Sequence, residues 1–208
     1  VSPHDFIAAA KTGDFDAAAA AIAACNPLPQ TCGLVCPDRF CQKACIRGRI
    51  DTPIEIPCLQ AAIMQKGGLP ALDLPPTAHT AAGVPYRAAV IGGGPAGLSC
   101  AYYLAEKGYR PTVFEKEKQP GGMLMHGIPE FRLEKDVIEA EINVLRALGV
   151  EFHCGVEVGR DVTIPELREQ GYKGFYVAIG LQSGGKLGVP GEDAEGVKAG
   201  IELMLSLI

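Results

Sequence analysis

The sequence predicts an α/β protein in two parts, a small helical head followed by a parallel sheet covered by helices. Three observations predict it. From residue 86 onward, strand-like and helix-like stretches alternate, the pattern of strands joined by helical crossovers. Residues 1–66 hold short helical stretches and loops with no strand pattern. Between the two parts, Pro70, Pro75, Pro76, Gly83 and Pro85 give the composition of a linker. The resulting boundaries are 1–68 for the head, 69–85 for the linker and 86–208 for the sheet domain.

In the head, Ser2-Pro3 opens a helix, with serine as N-cap and proline in the first turn. Asp14 starts a second helix that runs through the alanines and stops before Asn26-Pro27. A cysteine-rich loop comes next. "TPIEIPCLQAAIMQKGG" is then an extended piece turning into a helix that ends at Gly67-Gly68. In the sheet domain, "YRAAVIGGG" is a buried strand and "PAGLSCAYYLAEKG" a helix that packs Leu98, Ala101, Leu104 and Ala105 and stops at Gly108. "PTVFEK" is the second strand. "LEKDVIEAEINVLRALG" is a long amphipathic helix with Ile138, Ile142, Leu145 and Leu148 inward. "VEFHCG" is a strand, "TIPELREQG" a short helix capped by Thr163, and "KGFYVAIG" a further strand.

Composition narrows the function classes. The chain of 208 residues is 48% apolar, enough for a real core. Its net charge of −5 and the lack of any Lys/Arg run argue against nucleic acid and anionic membranes as partners. No apolar run reaches the roughly 20 residues of a membrane helix. No basic-plus-apolar leader is present, so a cytoplasmic location is expected. Eight cysteines in such a chain point to metal ligands or redox groups rather than a disulfide framework. The chain opens on Val1-Ser2-Pro3 and closes where Ile201, Met204, Leu205 and Ile208 recur at helical spacing. It is therefore expected to be a piece of a longer protein, truncated on both sides, with the sheet incomplete.

The strongest motif is "AAVIGGGPAGL". Gly92, Gly94 and Gly97 form G-x-G-x-x-G between a strand and a helix, and Glu115 closes the next strand eighteen residues past Gly97. Gly92 permits the tight turn, Gly94 lets a pyrophosphate approach the backbone, and Gly97 lets helix and strand pack closely. The helix start at Pro95 and Ala96 offers N–H groups and positive dipole to the phosphates. A carboxylate at Glu115 can accept both ribose hydroxyls. This is a Rossmann-like dinucleotide loop, and both FAD and NAD(P) use it. FAD is favoured by a second glycine pair, Gly121-Gly122, and by the small-residue turn Ala178 to Gly180 after the last strand.

The other chemistry-bearing stretch is "NPLPQTCGLVCPDRFCQKAC", which holds Cys32, Cys36, Cys41 and Cys45. Four thiols in so short a loop suit an iron–sulfur cluster or a Cys₄ zinc site. The run is continuous rather than split into two knuckles, and Cys36 is followed by proline, which favours iron and sulfur. Unmetallated thiols are the remaining reading. Cys25, Cys100 and Cys154 are expected to be small buried residues.

Together, "NPLPQTCGLVCPDRFCQKACIRG", "TPIEIPCLQ", "VIGGGPAGLSCAYYLAEKGY", "VFEKEKQPGGMLMHGIPEFRLEKDV" and "GEDAEGV" resemble the glutamate synthase small (beta) subunit family. They resemble equally the amino-terminal half of dihydropyrimidine dehydrogenase and the large subunit of NADH-dependent ferredoxin:NADP oxidoreductases. The resemblance covers nearly the whole chain. It implies a helical iron–sulfur head, a Rossmann-like FAD-binding domain, two [4Fe–4S] clusters, FAD, an NAD(P)H site and an electron-accepting partner subunit or domain. It assigns Cys36 and Cys41 to one cluster with Gln60 as an amide ligand, and Cys45 to the other. Further ligands are expected upstream. Cys32 takes no ligand role, and Cys58 departs from the small residue expected beside Gln60. For FAD the resemblance implies Gly92, Gly93, Gly94, Pro95 and Ala96 of the loop, beside the Gly97 of the motif. It adds Glu115 and Lys116 at the end of the second strand, Gly121, Gly122, Met123 and Leu124 shortly after it, then Arg132 and Val158, which join Ala178 and Gly180 of the turn after the last strand. His126 receives no role. A second dinucleotide domain, for NAD(P)H, is expected to come after "GEDAEGV". The competing function is a non-enzymatic nucleotide-binding or assembly module with a zinc-bound or metal-free head.

Overall fold

A computed structural model describes residues 2–37, 39–70, 85–182 and 184–206. Most of the linker sequence, with Pro75, Pro76 and Gly83, lies outside the described residues, as does Ile208.

The head is built from α1 (Pro3–Lys11), α2 (Phe15–Ala23), α3 (Pro29–Val35), α4 (Phe40–Lys43) and α5 (Ile56–Gly67), with a 3₁₀ turn at Ile46–Arg49. Asp14 caps α2 as its position predicts, its carboxylate accepting from the Ala17 N–H at 2.9 Å. Phe6, Ala18, Ala19, Ile22, Ile56, Ile63 and Met64 form the head's own core. The alanines of α2 let α1 and α5 approach closely, so small side chains replace bulk at this crossing.

The second part is a four-stranded parallel sheet of order β3-β2-β1-β4. Its strands are β1 (Arg87–Ile91), β2 (Arg110–Glu115), β3 (Glu151–Cys154) and β4 (Gly174–Val177). The crossover elements are α6 (Pro95–Glu106) between β1 and β2, α7 (Met123–His126) and α8 (Lys135–Ala147) before β3, and α9 (Ile164–Glu169) before β4. A last helix, α10 (Gly200–Ser206), ends the described chain. The predicted stop at Gly108, with φ +79°, and the cap at Thr163, which forms a capping box with Glu166 on α9, both hold, whereas Ser2 stands at the N-cap position of α1 without a side-chain capping bond. One sheet face carries α6 and α8, with Val90, Leu98, Ala101, Val113, Ile138, Ile142 and Leu145 buried between them. The other carries Ala89, Phe114, Leu167 and Tyr172. Among the described residues no helix is long and apolar enough to cross a membrane.

Head and sheet domain share one core. Leu28 of the head is 4% exposed and packs with the residues of α6 and α8. The α3 N-terminus lacks a local cap, because its N-cap residue is Leu28 and its first helical residue is Pro29. Glu141 of α8, 1% exposed, supplies the cap from about 110 residues away. Its carboxylate accepts from the Gln30 N–H at 2.7 Å, the Thr31 N–H at 3.1 Å and the Thr31 hydroxyl at 2.5 Å. Those N–H groups are the second and third of the helix, which have no intrahelical partner.

Burial pushes the Glu141 carboxyl above its ordinary 4.5, and the hydrogen bonds from Thr31 and Gln30 pull it part of the way back. Since the folded pKa is raised, the group's favourable contribution is fully present below the ordinary value and is lost as pH rises through the raised one. The stability of the parent minus that of Glu141→Gln, from urea melts between about pH 4 and about pH 8, should therefore fall with rising pH. A difference flat across that range would show that Glu141 does not titrate there. Glu141→Ala should cost on the order of 2–4 kcal/mol, because it strands the buried Thr31 N–H and hydroxyl and the part-buried Gln30 N–H.

Candidate functional site

β1 ends at Ile91 and the chain turns at Gly92, whose φ of +105° excludes ordinary L residues. The Gly92 N–H donates to the Phe114 carbonyl at 2.8 Å, which ties the turn to β2. A Cβ on Gly97 would overlap the Gly92 carbonyl oxygen, so glycine is what lets α6 start directly under the loop. Gly94 differs. A Cβ there would meet only the Gly122 Cα, at 3.8 Å, and Gly94 lines the main cavity. It is glycine without any need from the protein's own packing, as expected where a ligand approaches the backbone. Gly94 is also the N-cap of α6 and supplies no capping side chain, so the helix start is left for a ligand.

Glu115 is 4% exposed at the end of β2. Its Oε2 accepts from the Gly93 N–H at 2.6 Å and its Oε1 from the Glu117 N–H at 2.9 Å. The acid thus braces the loop it was expected to serve, and each oxygen keeps a second lone pair for a ribose hydroxyl. The Gly121 N–H donates to the Gly93 carbonyl at 2.8 Å, which brings the second glycine pair onto the first loop. At Gly122, φ is +54°, and a Cβ would stand 2.7 Å from the Gly94 Cα. The two glycine segments touch backbone to backbone.

They border a cavity of about 560 Å³. Of the predicted residues, Gly92, Gly94, Pro95, Ala96, Glu115, Lys116, Gly122, Met123, Val158, Ala178 and Gly180 line it. Gly93, Gly97 and Gly121 lie behind the wall, where they shape the loop. Leu124 is turned into the core at 8% exposure. Arg132 sits exposed on the turn before α8, with neighbouring Leu133 buried, and does not line the cavity. Sequence reasoning missed Ile91, Phe114, Val156, Glu157, Ile179, Leu181 and Gln182 of the lining. The Val156 to Val158 stretch comes after β3 and the Ile179 to Gln182 stretch after β4. Both lie past the carboxyl ends of parallel strands, the edge where such sheets bind ligands, and that rule could have found them.

The thiol loop is less convergent. Cys36 and Cys45 are half-buried and Cys41 is exposed. Among the described residues, no three His, Cys, Asp or Glu side chains gather as a metal-binding group. The donor types nevertheless suit a cluster. Backbone hydrogen bonds from Ile54 and Arg47 hold the Cys45 thiol below the usual range, toward the thiolate that binds iron. Gln60 is 7% exposed, and its Nε2 donates to the Pro29 carbonyl at 2.5 Å, so Oε1 is the atom with which it could meet a metal. Cys32 behaves otherwise: although the residue is exposed at the surface, the protein packed around its sulfur pushes the thiol up, and it bonds Asn26. Cys58 donates to Glu55 at 3.3 Å. The expectation of three small buried cysteines fails: Cys25 is exposed, and Cys100 and Cys154 are half-buried. Cys25 falls in the turn after α2, where its carbonyl, not its thiol, is used, accepting from the Tyr103 hydroxyl at 3.1 Å.

Comparison with known proteins adds to this geometry. Residues 1–67 match the family model described as dihydropyrimidine dehydrogenase domain II, 4Fe-4S cluster, and residues 90–135 that of an NAD(P)-binding Rossmann-like domain. The chain is 34% identical over 204 residues to the NAD-dependent dihydropyrimidine dehydrogenase subunit PreT of Escherichia coli O157:H7, covering 98% of this chain and 48% of that one. It is 37% identical over 182 residues to the glutamate synthase [NADPH] small chain of Halomonas elongata, covering 87% of this chain and 38% of that one. The chain thus spans less than half the length of these relatives. Among solved structures, Mycobacterium tuberculosis FprA in complex with NADPH is similar with a TM-score of 0.53 and 26% identity, over 58% of this chain and 28% of that one.

Two Gly→Ala changes separate packing from binding. Gly97→Ala should cost roughly 3 kcal/mol, since the new Cβ meets backbone that cannot yield. Gly94→Ala should leave the melting temperature nearly unchanged and weaken dinucleotide binding about tenfold or more. Titration of FAD and NAD(P)H into both variants, beside thermal melts, checks this. Parent-like binding by Gly94→Ala would move the pyrophosphate elsewhere.

Proposed function

We infer the function from the family: the chain belongs to the FAD- and iron–sulfur-containing NAD(P)H oxidoreductases that include the glutamate synthase small chain. Its residues are read as the cluster-bearing head and the FAD-binding part of an enzyme that passes electrons from NAD(P)H to an electron-accepting partner subunit or domain. The observation that carries this is the juxtaposition of a glycine-built dinucleotide cavity with a thiol loop packed against the same domain.

In this reading residues 1–68 form the head and 86–208 the nucleotide domain, with 69–85 between them. Bound FAD would accept a hydride and release single electrons, and iron–sulfur clusters would carry those electrons onward. The chain's own residues do the holding. Gly94, Gly122 and the α6 start receive the pyrophosphate, and Glu115 orients the ribose. Lys116 and Glu115 share the lining with Val158, which comes after β3, and with Ala178 and Gly180, which come after β4. The remaining predicted flavin contacts, Gly93, Gly97, Gly121 and Leu124, act by shaping that wall. Arg132 is retained as a cation for a flavin extending past the cavity. Cys36 and Cys41 with Gln60, and Cys45 separately, are proposed as ligands to two [4Fe–4S] clusters. All eight cysteines are free thiols, which suits a reducing compartment, and a cytoplasmic location is proposed.

A second reading places NAD(P) in the visible loop, and the description of the family model matching residues 90–135 favours it. Anaerobic purification of the intact protein separates the two. The FAD reading expects stoichiometric flavin, lost on Gly94 enlargement, and iron with acid-labile sulfide. Substituting serine for Cys36, Cys41 or Cys45 should lower the iron, while Cys32→Ser should keep it. Colourless protein that binds NADPH at Gly94 would favour the second reading, and stoichiometric zinc would replace the iron–sulfur assignment.

A further inference from the structure

α3 carries Cys32 and leads directly into Cys36, its C-cap residue. Its N-terminus is held from two sides by groups far away in sequence. On one side, Glu141 of α8 takes the Gln30 and Thr31 N–H groups and the Thr31 hydroxyl, at 2.7, 3.1 and 2.5 Å. On the other, the Pro29 carbonyl accepts from Gln60 Nε2 at 2.5 Å. Glu141, Thr31 and Gln60 are all buried. The helix that bears Glu141 packs on α6, whose start faces the dinucleotide cavity. A short, fully bonded path therefore runs from the nucleotide domain through the first turn of α3 to a residue proposed as a cluster ligand.

We propose that Glu141 is a positioning residue that fixes the cysteine-bearing helix α3, and through Pro29 the Gln60 side chain, to the nucleotide-binding domain, so setting the spacing of flavin and cluster. The inference rests on the proposed function for the word cluster, but the mechanical part stands on the hydrogen bonds. Three donors on one buried carboxylate define a direction as well as a distance, which apolar packing around Leu28 cannot. The residue at the N-cap position cannot take over, because Leu28 has no side-chain acceptor. The Thr31 hydroxyl adds a third contact and fixes the rotation of the helix about its axis. In Glu141→Gln the amide oxygen can keep both N–H groups, while the Thr31 hydroxyl must turn to accept from the amide N–H₂, so the contacts are kept in altered form.

The test uses the intact protein and its Glu141→Ala, Glu141→Gln and Thr31→Val variants. Hydrogen exchange reads the mechanical part without any cofactor. Amides at the start of α3 should exchange at least about tenfold faster in Glu141→Ala, with those of β1, β2 and α6 unchanged. Thr31→Val, which keeps both N–H bonds, should stay close to the parent, and Glu141→Gln should fall between. Stopped-flow reduction then reads the consequence. Flavin reduction by NAD(P)H should keep its rate in Glu141→Ala, while transfer from flavin to cluster should slow about tenfold or more. Parent-like protection of α3 in Glu141→Ala would overturn the inference. So would protection lost equally across the sheet, or an unchanged flavin-to-cluster rate. A parent without flavin or iron would instead defeat the functional reading, and the exchange result would still decide the role of Glu141.

Discussion

The buried carboxylate of Glu141 is the interaction on which the two halves of this chain depend. Apolar contact between head and sheet domain is real, since Leu28 shares a core with α6 and α8. Apolar contact is also tolerant of small slides and rotations, because it has no direction. A carboxylate that satisfies the second and third N–H groups of α3 and the Thr31 hydroxyl tolerates neither. Its burial is costly, and the cost is offset by the donors it meets, above all the two backbone N–H groups. The arrangement is therefore more directional than a hydrophobic seam would be.

The dinucleotide cavity rests on a different constraint, the close approach of backbone to backbone. Gly92, Gly97 and Gly122 are each needed by the protein itself, the first for its φ and the others because a Cβ would strike neighbouring main chain. Gly94 is free of that demand and faces the cavity. The distinction matters for function. A glycine enforced by packing says only that the turn is tight, whereas a glycine the packing does not need points to a ligand. Glu115 joins both uses, with its carboxylate anchored by the Gly93 and Glu117 N–H groups and lining the same cavity.

Much of this architecture was legible in the sequence, and the reason is locality. The strand–loop–helix signal around Gly92 to Gly97, the stop at Gly108 and the capping box at Thr163 involve residues within a turn or two of one another. Sequence spacing reads such features directly. What spacing does not carry is the meeting of distant segments. Glu141 looks like an ordinary polar position in an amphipathic helix, and its partners lie about 110 residues away. The cavity wall from Val156 to Val158 is likewise joined to the glycine loop only through the pairing of β3 with β2. Arg132 shows the converse: a cation near the motif in sequence stands exposed on a turn outside the cavity.

The thiol loop shows where local reading runs out for a chemical reason. Four cysteines at short spacing identify the donor type, and donor type narrows the metal. Spacing does not say which thiols share one ion or cluster, because a loop can splay its side chains to two sides. The environments already separate these thiols. Cys45 is biased toward thiolate by backbone donors, and Cys32 is biased toward thiol by burial, with the Glu141 charge acting in the same direction. A carboxylate that locks α3 in place thus also disfavours charge on the neighbouring cysteine.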